Sequence, residues 1–367
     1  MKKTPFHEIN LKYEAQMREM FGYYLPWEYA NGHVEEHLGT RQRASLCDLD
    51  YMGGFIIEGP NALNFVQKLF TNDFRKQATG AIRYTAMCNP EGNMMDDGTV
   101  WRLGETKFMF ISGDEADYEW IAQNAKGFDV AVKNITSEHT TLALQGPKSK
   151  AILSKLTDTD LDTISYYHFK EAKVAGVDCL VDRMGYTGEF GYECHFHPKH
   201  AEAMWAAIMQ AGDEFHIVPC GQAALESLRQ EAGYLLVGND HDKSTNPLEA
   251  GIGGTIKFGK EEFNGRQALL DVVKHGVKRR LVWLKLGGGE IASKGYPIFS
   301  GDTQIGEVTS GSYSPTFNAG TAMGYVLPQF AISGVDFEIE IAGKRCKANL
   351  SVMPLYDPAD WRTKGEP

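Results

Sequence analysis

No stretch of about 18 apolar residues runs through this chain, so no helix long enough to cross a membrane is expected. The first residues, Met1-Lys2-Lys3-Thr4-Pro5-Phe6-His7-Glu8, lack the apolar segment of a secretory leader. The six cysteines are scattered without a Cys-x-x-Cys pair. That fits reduced, mostly buried thiols in a cytoplasmic-type compartment better than a disulfide framework or a zinc site. Positive charge is also in deficit. Lys and Arg number 37 against 48 Asp and Glu, a net charge of −11, which leaves no cationic footprint for nucleic acid. A P-loop, a dinucleotide-binding glycine fingerprint and a Gly-x-Ser-x-Gly elbow are all missing. Low-complexity tracts and internal repeats are missing as well.

What remains is an ordinary globular composition, 43% hydrophobic and 23% charged. The 367 residues suffice for two or three domains with a large core. Phe55 to Pro60 reads as a strand ending in a Gly-Pro turn, followed by a short helix over Ala62 to Phe70. Tyr84 to Cys88 and Met94 to Leu103 flank Asn89-Pro90-Glu91-Gly92, which predicts a hairpin. Leu142 to Pro147 repeats the strand-Gly-Pro pattern before a helix over Lys148 to Leu156, so a two-lobed α+β core is expected. Helices are further predicted over Lys199 to Ala211, with His200 at its start, and over Gln222 to Leu236. Beyond Lys274 the texture turns to strands, Leu281 to Leu286, Gln304 to Thr309, Phe337 to Ile341 and Cys346 to Val352. They predict a small C-terminal barrel of about 85 residues. The division expected is 1–277 and 278–367. Gly287-Gly288-Gly289 reads as a flexible turn.

Three segments carry candidate chemistry. In Asp96-Asp97 the side-chain period of a strand sends the two acids to opposite faces, so they are not expected to serve one site together. Asp97 would share its face with Thr99 and Trp101, a set able to orient a flat, nitrogen-rich ligand. On the residues alone, a solvated acid pair at a hairpin end is the plainer alternative. The Gly-rich turn from Gly185 to Gly191 lets backbone approach a ligand, and it feeds a run in which Glu193, His195 and His197 share a face. Glu193 could accept two N–H donors from a guanidine-like heterocycle edge. A metal held by the three residues is the alternative, and a polar strand face is preferred to it. Asp240-His241-Asp242 could shuttle protons, although a plain polar loop is the preferred reading.

The residues then match a known family. Thr71-Asn72-Asp73-Phe74, Tyr84 through Asn89, Gly92 through Asp97, Gln145-Gly146-Pro147, Tyr166-Tyr167, Gly185 through Glu193, Thr245-Asn246-Pro247, Thr309-Ser310-Gly311 and Ser314-Pro315-Thr316 follow one order along the chain. In this the chain resembles the aminomethyltransferase family, the glycine cleavage T-protein and its tetrahydrofolate-dependent relatives. The resemblance implies three lobes around a funnel that holds the folate, the third being the C-terminal β-barrel. It implies Asp97 as the key carboxylate beside the reactive folate nitrogens. It implies folate contacts at Tyr84, Tyr167, Tyr186 and Glu193, with Thr99 and Trp101 as pocket walls. No metal is implied.

The segment Ala223-Ala224-Leu225-Glu226 departs from the family's Gly-Ala-Arg-Asp. Asp48-Leu49-Asp50-Tyr51-Met52 departs from Asp-Val-Ser-His-Met. A pocket Asn falls near Ser112 and a pocket Trp near Gly254, while Arg229 and Glu231 are retained. Tyr51, Leu225, Glu226, Arg229 and Gly254 are therefore expected to shape an altered substrate pocket. The function expected from this is a demethylase-like transferase moving a one-carbon unit from a small methylated metabolite to tetrahydrofolate, mainly by orientation. One alternative is a genuine T-protein that takes an aminomethyl group from a lipoylated carrier protein, and another is a folate-binding protein without transfer activity. Lys278-Arg279-Arg280 reads as a solvated linker in preference to a site for the folate's glutamate tail.

Overall fold

The computed structural model describes residues 1–351, 354–357 and 359–364. A five-stranded sheet runs in the order Ile82–Cys88, Met94–Arg102, Lys107–Ser112, Gly53–Glu58, Ala131–Asn134. A six-stranded sheet runs in the order Phe169–Val174, Val177–Asp182, Gly191–Phe196, Thr140–Gln145, Ser45–Asp48, Val218–Cys220. A small three-stranded sheet near the N-terminus joins Lys2–Lys3, Tyr23–Glu28 and Gln16–Met20.

The two strand-Gly-Pro-helix units each belong to one large sheet, as expected. Gly59 and Gly146 have φ of +145° and +116°, and a Cβ on either would strike backbone, Asp129 O at 2.5 Å and Thr40 O at 2.6 Å. Only glycine makes this exit from the strand. After the first, the helix Ala62–Leu69 buries Ala62, Phe65, Val66 and Leu69 against Phe55, Ile57, Phe108 and Phe110 of its own sheet. After the second, the shorter helix Ser149–Leu153 buries Ile152 and Leu153 in a separate core that contains Leu142, Leu144, Met204 and Trp205. Two sheets, each with its own core, form the two lobes.

The predicted hairpin is present. Gly92 closes its turn at φ +81°, and Asn89 Oδ1 accepts from Asn93 N at 2.9 Å. The register slips beside the turn, with Met87 opposite Asp96 and Cys88 opposite Met94, so Met95 is the extra residue of a bulge. The helix predicted to start near His200 runs over Ala201–Gly212. The helix predicted to reach Leu236 stops earlier, at Gln222–Ala232. Gly233 adopts φ +80° and ends it, which frees residues 234–241 to turn back toward the space between the lobes.

The C-terminal strands close into a six-stranded barrel: Arg280–Leu286, Ala319–Val326, Thr303–Ser314, Pro297–Ser300, Phe337–Ile341, Lys344–Leu350. Leu284, Leu286, Ile298, Val308, Phe337 and Ile339 fill it. The strand predicted over Gln304 to Thr309 extends to Ser314 through a bulge at Val308/Ser310. The last predicted strand ends at Leu350, and Val352 lies outside the described residues.

Candidate active site

Both lobes line one cavity of about 270 Å³. Asp97 and Thr99 come from the five-stranded sheet, Glu193 from the six-stranded sheet, Leu49 from just beyond its strand Ser45–Asp48, and Tyr234 to Val237 from the segment released by Gly233. Tyr51, Tyr84, Tyr167 and Tyr186 complete an aromatic wall. Tyr167 holds φ +58°, an uncommon conformation for a bulky residue. Two backbone bonds fix it there, its N–H donating to Arg183 O (3.1 Å) and its carbonyl accepting from Ile82 N (2.8 Å).

Asp97 is held on two sides. Thr99 pairs with Tyr84 and Asp97 with Ala86 across the hairpin, so Tyr84 is the diagonal neighbour of Asp97 on one face. The Tyr84 hydroxyl donates to Asp97 Oδ2 at 2.5 Å. On the other side His241 Nε2 stands 2.6 Å from Asp97 Oδ1. The polar-loop reading of residues 240–242 is thereby overturned, because His241 and Asp240 are buried and committed. Asp240 accepts from Arg229 Nη1 (2.5 Å), Leu236 N (3.0 Å), Thr309 Oγ1 (2.6 Å) and Ser310 Oγ (2.7 Å). Adjacent strand residues normally diverge, and the barrel bulge is what aims both hydroxyls at one carboxylate. Burial opposes charge on His241. The Asp97 carboxylate, with Asp240 and Asp242 nearby, outweighs it and raises the imidazole above its ordinary value.

The expectation that Asp96 and Asp97 serve separate faces also needs correction. Asp96 is buried, yet its Oδ1 accepts from Asp97 N at 2.8 Å and lies 3.9 Å from His241 Nε2. The bulge at Met95 bends the strand beside the pair, and a carboxylate bonded back to its neighbour's N–H does not follow the Cβ direction. Burial, then the charges of Asp117 and Asp97, push the Asp96 carboxyl well up.

The opposite wall is unlike this one. Glu193 is 4% exposed, and no hydrogen-bond donor among the described residues contacts its side-chain oxygens. Behind it His195 Nε2 lies 2.7 Å from Asp182 Oδ2 and 3.7 Å from Glu193 Oε2, and His195 Nδ1 lies 3.0 Å from Thr141 Oγ1. Burial drives the His195 imidazole down to about 3, and burial with its His195 neighbour does the same to His139. Glu193 therefore has no cationic partner. Burial, then the Asp182 charge, raises its carboxyl well above the usual range.

His197 parts from this group. It is exposed, and its Nδ1 accepts from Lys199 N at the start of a 3₁₀ turn. Two carboxylate–imidazole clusters remain, Asp96/Asp97/His241 and Asp182/Glu193/His195. In each, nitrogen and oxygen stand at hydrogen-bond distance, 2.6 and 2.7 Å. Two ligands about 2.1 Å from a shared tetrahedral ion would stand roughly 3.4 Å apart. As they stand, each cluster is built around one carboxylate–imidazole hydrogen bond, Asp97–His241 and Asp182–His195.

Several predicted pocket residues lie elsewhere. Trp101 is fully buried behind the wall, its indole N–H donating to Thr99 Oγ1 at 2.9 Å. Leu225 packs with Tyr51, Cys47 and Leu228 in an apolar cluster. Glu226 pairs with Arg229, and Arg229 is the buried clamp on Asp240. Gly254 is exposed, with open space where a Cβ would stand. Of the substrate-pocket set only Tyr51 lines the cavity, together with Ser112. Gly185 lines it too, but a Cβ there would strike Gln145 Oε1 at 1.9 Å, so its glycine makes room for Gln145. Arg279 is no solvated linker. It stacks on Tyr325 and donates to Thr245 Oγ1 at 2.9 Å.

Two sheet lobes facing one cavity, with a closed barrel clamping the loop beneath it, define a transferase architecture of the T-protein type. Residues 6–260 match the GCVT N-terminal domain, and residues 279–357 match the glycine cleavage T-protein C-terminal barrel domain. The chain belongs to this family. It is 40% identical to the aminomethyltransferase of Halothermothrix orenii over 97% of this chain and 100% of that one. It is 38% identical to the aminomethyltransferase of Caldanaerobacter subterraneus, over 97% and 96%. The crystal structure of glycine cleavage system aminomethyltransferase T from Bartonella henselae superposes with a TM-score of 0.91. It covers 97% of this chain and 98% of that one at 30% identity. No described helix is long and apolar enough to cross a membrane.

Proposed function

We propose that the protein is a tetrahydrofolate-dependent aminomethyltransferase that works with a lipoylated carrier protein. The observation that carries this reading is Glu193, a buried carboxylate facing the cavity with no donor of its own. A buried acceptor in that state is costly, and the two N–H donors of an amino-pyrimidinone edge match its bidentate capacity. The donor set thus fits a reduced pteridine. When bound, that group supplies the nucleophilic nitrogen that accepts the one-carbon unit. Glu193 holds its polar edge, and Tyr84, Tyr167 and Tyr186 exclude water from its faces. Asp97 stands on the opposite wall, where it stabilises positive charge on the reacting nitrogens and takes up the proton they shed.

The expected demethylase-like reading drew on Tyr51, Ser112, Leu225, Glu226 and Gly254, and of these only Tyr51 and Ser112 line the cavity. The aminomethyltransferases among the full-length relatives favour the carrier-protein donor instead. Reconstitution tests the reading. Purified protein, aminomethylated lipoyl carrier and tetrahydrofolate are expected to release ammonia in step with methylene-folate. Methyl-folate formed only from a panel of methylated amines, sulfonium compounds and aryl ethers would replace the reading with the demethylase. Folate binding without turnover of any donor would replace it with the non-catalytic protein.

A further inference from the structure

His241 is buried, and among the described residues its one polar side-chain contact at hydrogen-bond distance is Asp97. Its Nε2 meets Asp97 Oδ1 at 2.6 Å, and its Nδ1 has no partner in the interior. His37, by contrast, has partners on both nitrogens, Ser227 and Thr316. The backbone of His241 is fixed independently. Its carbonyl accepts from Gly238 N (2.9 Å), and the preceding Asp240 is pinned by Arg229 and the barrel hydroxyls. The barrel therefore holds the imidazole edge against a carboxylate that lines the cavity.

We propose that His241 is the positioning residue for Asp97, so that the charge state of its imidazole decides whether the Asp97 carboxylate is free to accept a proton. The proposal rests on the transferase reading above and gives that site its pH control. With His241 charged, the pair is neutral and Asp97 is tied to a cation. With His241 neutral, the pair carries one negative charge, and Asp97 can act as acceptor. The N–H bond of the reacting nitrogen then breaks, its electron pair stays on nitrogen, and the proton goes to Asp97. The controlling ionisation is thus that of the imidazole, close to working pH.

The groups around the ring are consistent with this control. Asp96 and Asp97 face it from the hairpin strand, and Asp240 and Asp242 flank it in its own loop. Tyr84 reaches it only through Asp97. Burial raises Asp117, beyond Asp96, to about 6. Arg229 neutralises Asp240, and Arg279 stands near Asp242. Of these, Asp97 is the one in hydrogen-bond contact with the ring.

Two measurements test the pair. In ligand-free protein, nitrogen NMR of the imidazole is expected to give a His241 midpoint above about 6.5, falling by about a unit or more in Asp97→Asn. In the reconstituted reaction, kcat/KM is expected to rise through that same midpoint. At pH 5.5 the wild-type protein then works at a tenth of its plateau or less. His241→Asn keeps a donor toward Asp97, and in it the rising limb should move at least about two units lower, with KM for folate nearly unchanged. His241→Gln serves as the second variant should thermal unfolding show that the first does not fold. A His241 midpoint below 6.5, a midpoint unmoved by Asp97→Asn, or a rising limb unmoved in the His241 variants would overturn the proposal. Loss of the folate reading itself would be seen separately, as absence of folate uptake by wild-type protein in calorimetry, while the NMR coupling still judges the pair.

Discussion

Asp97 and Glu193 stand on opposite walls of one cavity, and the two lobes treat them in opposite ways. Asp97, with a side chain 15% exposed, accepts from Tyr84 and meets His241, so its orientation is set before anything binds. Glu193 is buried, has no hydrogen-bond donor among the described residues and is backed by imidazoles that burial keeps neutral. The first carboxylate is preorganised for charge that appears during a reaction. The second is left unsatisfied until a ligand supplies the donors. On the proposed function this separates transition-state work from binding work, and that proposal sets what each variant should lose.

Asp97→Asn should have the largest effect. It keeps the shape and removes the charge, so kcat in the reconstituted reaction should fall by about 10²–10⁴, while folate affinity measured by calorimetry should stay within a few-fold. An equal loss in affinity would break the contrast between the walls.

Arg229→Met comes next. It leaves Asp240 buried without its cation, a change worth about 3–5 kcal/mol of stability, readable in denaturant unfolding. Because Asp240 anchors the loop of His241, the surviving folded fraction should also lose kcat more than folate affinity. A stability change below about 1 kcal/mol would show that the barrel hydroxyls alone hold the loop.

Glu193→Gln should do the reverse of Asp97→Asn. Charge-assisted hydrogen bonds are worth about 1.5–3 kcal/mol, so folate affinity should fall roughly 10–150-fold with a smaller change in kcat. The sign of the pH effect follows from the raised Glu193 carboxyl. Its folded value lies above the unfolded one, so its contribution to stability is fully present at low pH and is lost as pH rises through the folded value. Glu193→Gln should flatten that decline in unligated protein. Folate affinity, which draws on the ionised form, should rise with pH over the same window and release a proton, an effect measurable in buffers of different ionisation enthalpy. A wild-type affinity independent of pH would contradict this account of Glu193.

Much of this contrast was legible in residue order, and some of it was not. The hairpin, the paired Gly-Pro exits and the barrel follow from local rules, since alternation, turn residues and positive-φ glycines act within a few positions. Asp97 and Glu193 were likewise readable from the family's motifs. The contact between His241 and Asp97 was hidden, because the ring meets Asp97 across 144 positions of chain and sits in a segment rich in turn-forming polar residues. The Asp96–Asp97 geometry was missed because a period-2 rule describes Cβ directions, whereas a bulge at Met95 and a side chain bonded to its neighbour's N–H override them. Leu225 and Gly254 misled for another reason. A departure from a family pattern marks a changed position, and only the fold tells whether that position reaches the cavity.

Trp101→Phe should have the smallest effect, and it probes whether the two walls are independent. Trp101 touches both. Its N–H donates to Thr99 Oγ1 on the Asp97 strand, and its ring meets His195 edge-on at 4.8 Å behind Glu193. Phenylalanine keeps most of the ring and removes the donor. The lost hydrogen bond and the small void together cost about 1–2 kcal/mol of stability. With independent walls, kcat and folate affinity should each change by less than about threefold, because neither carboxylate loses a partner. An affinity loss comparable to that of Glu193→Gln would mean that Trp101 transmits strain through His195 to Glu193. The two carboxylates would then form one mechanical unit, and the division of labour drawn from their hydrogen bonds would not hold.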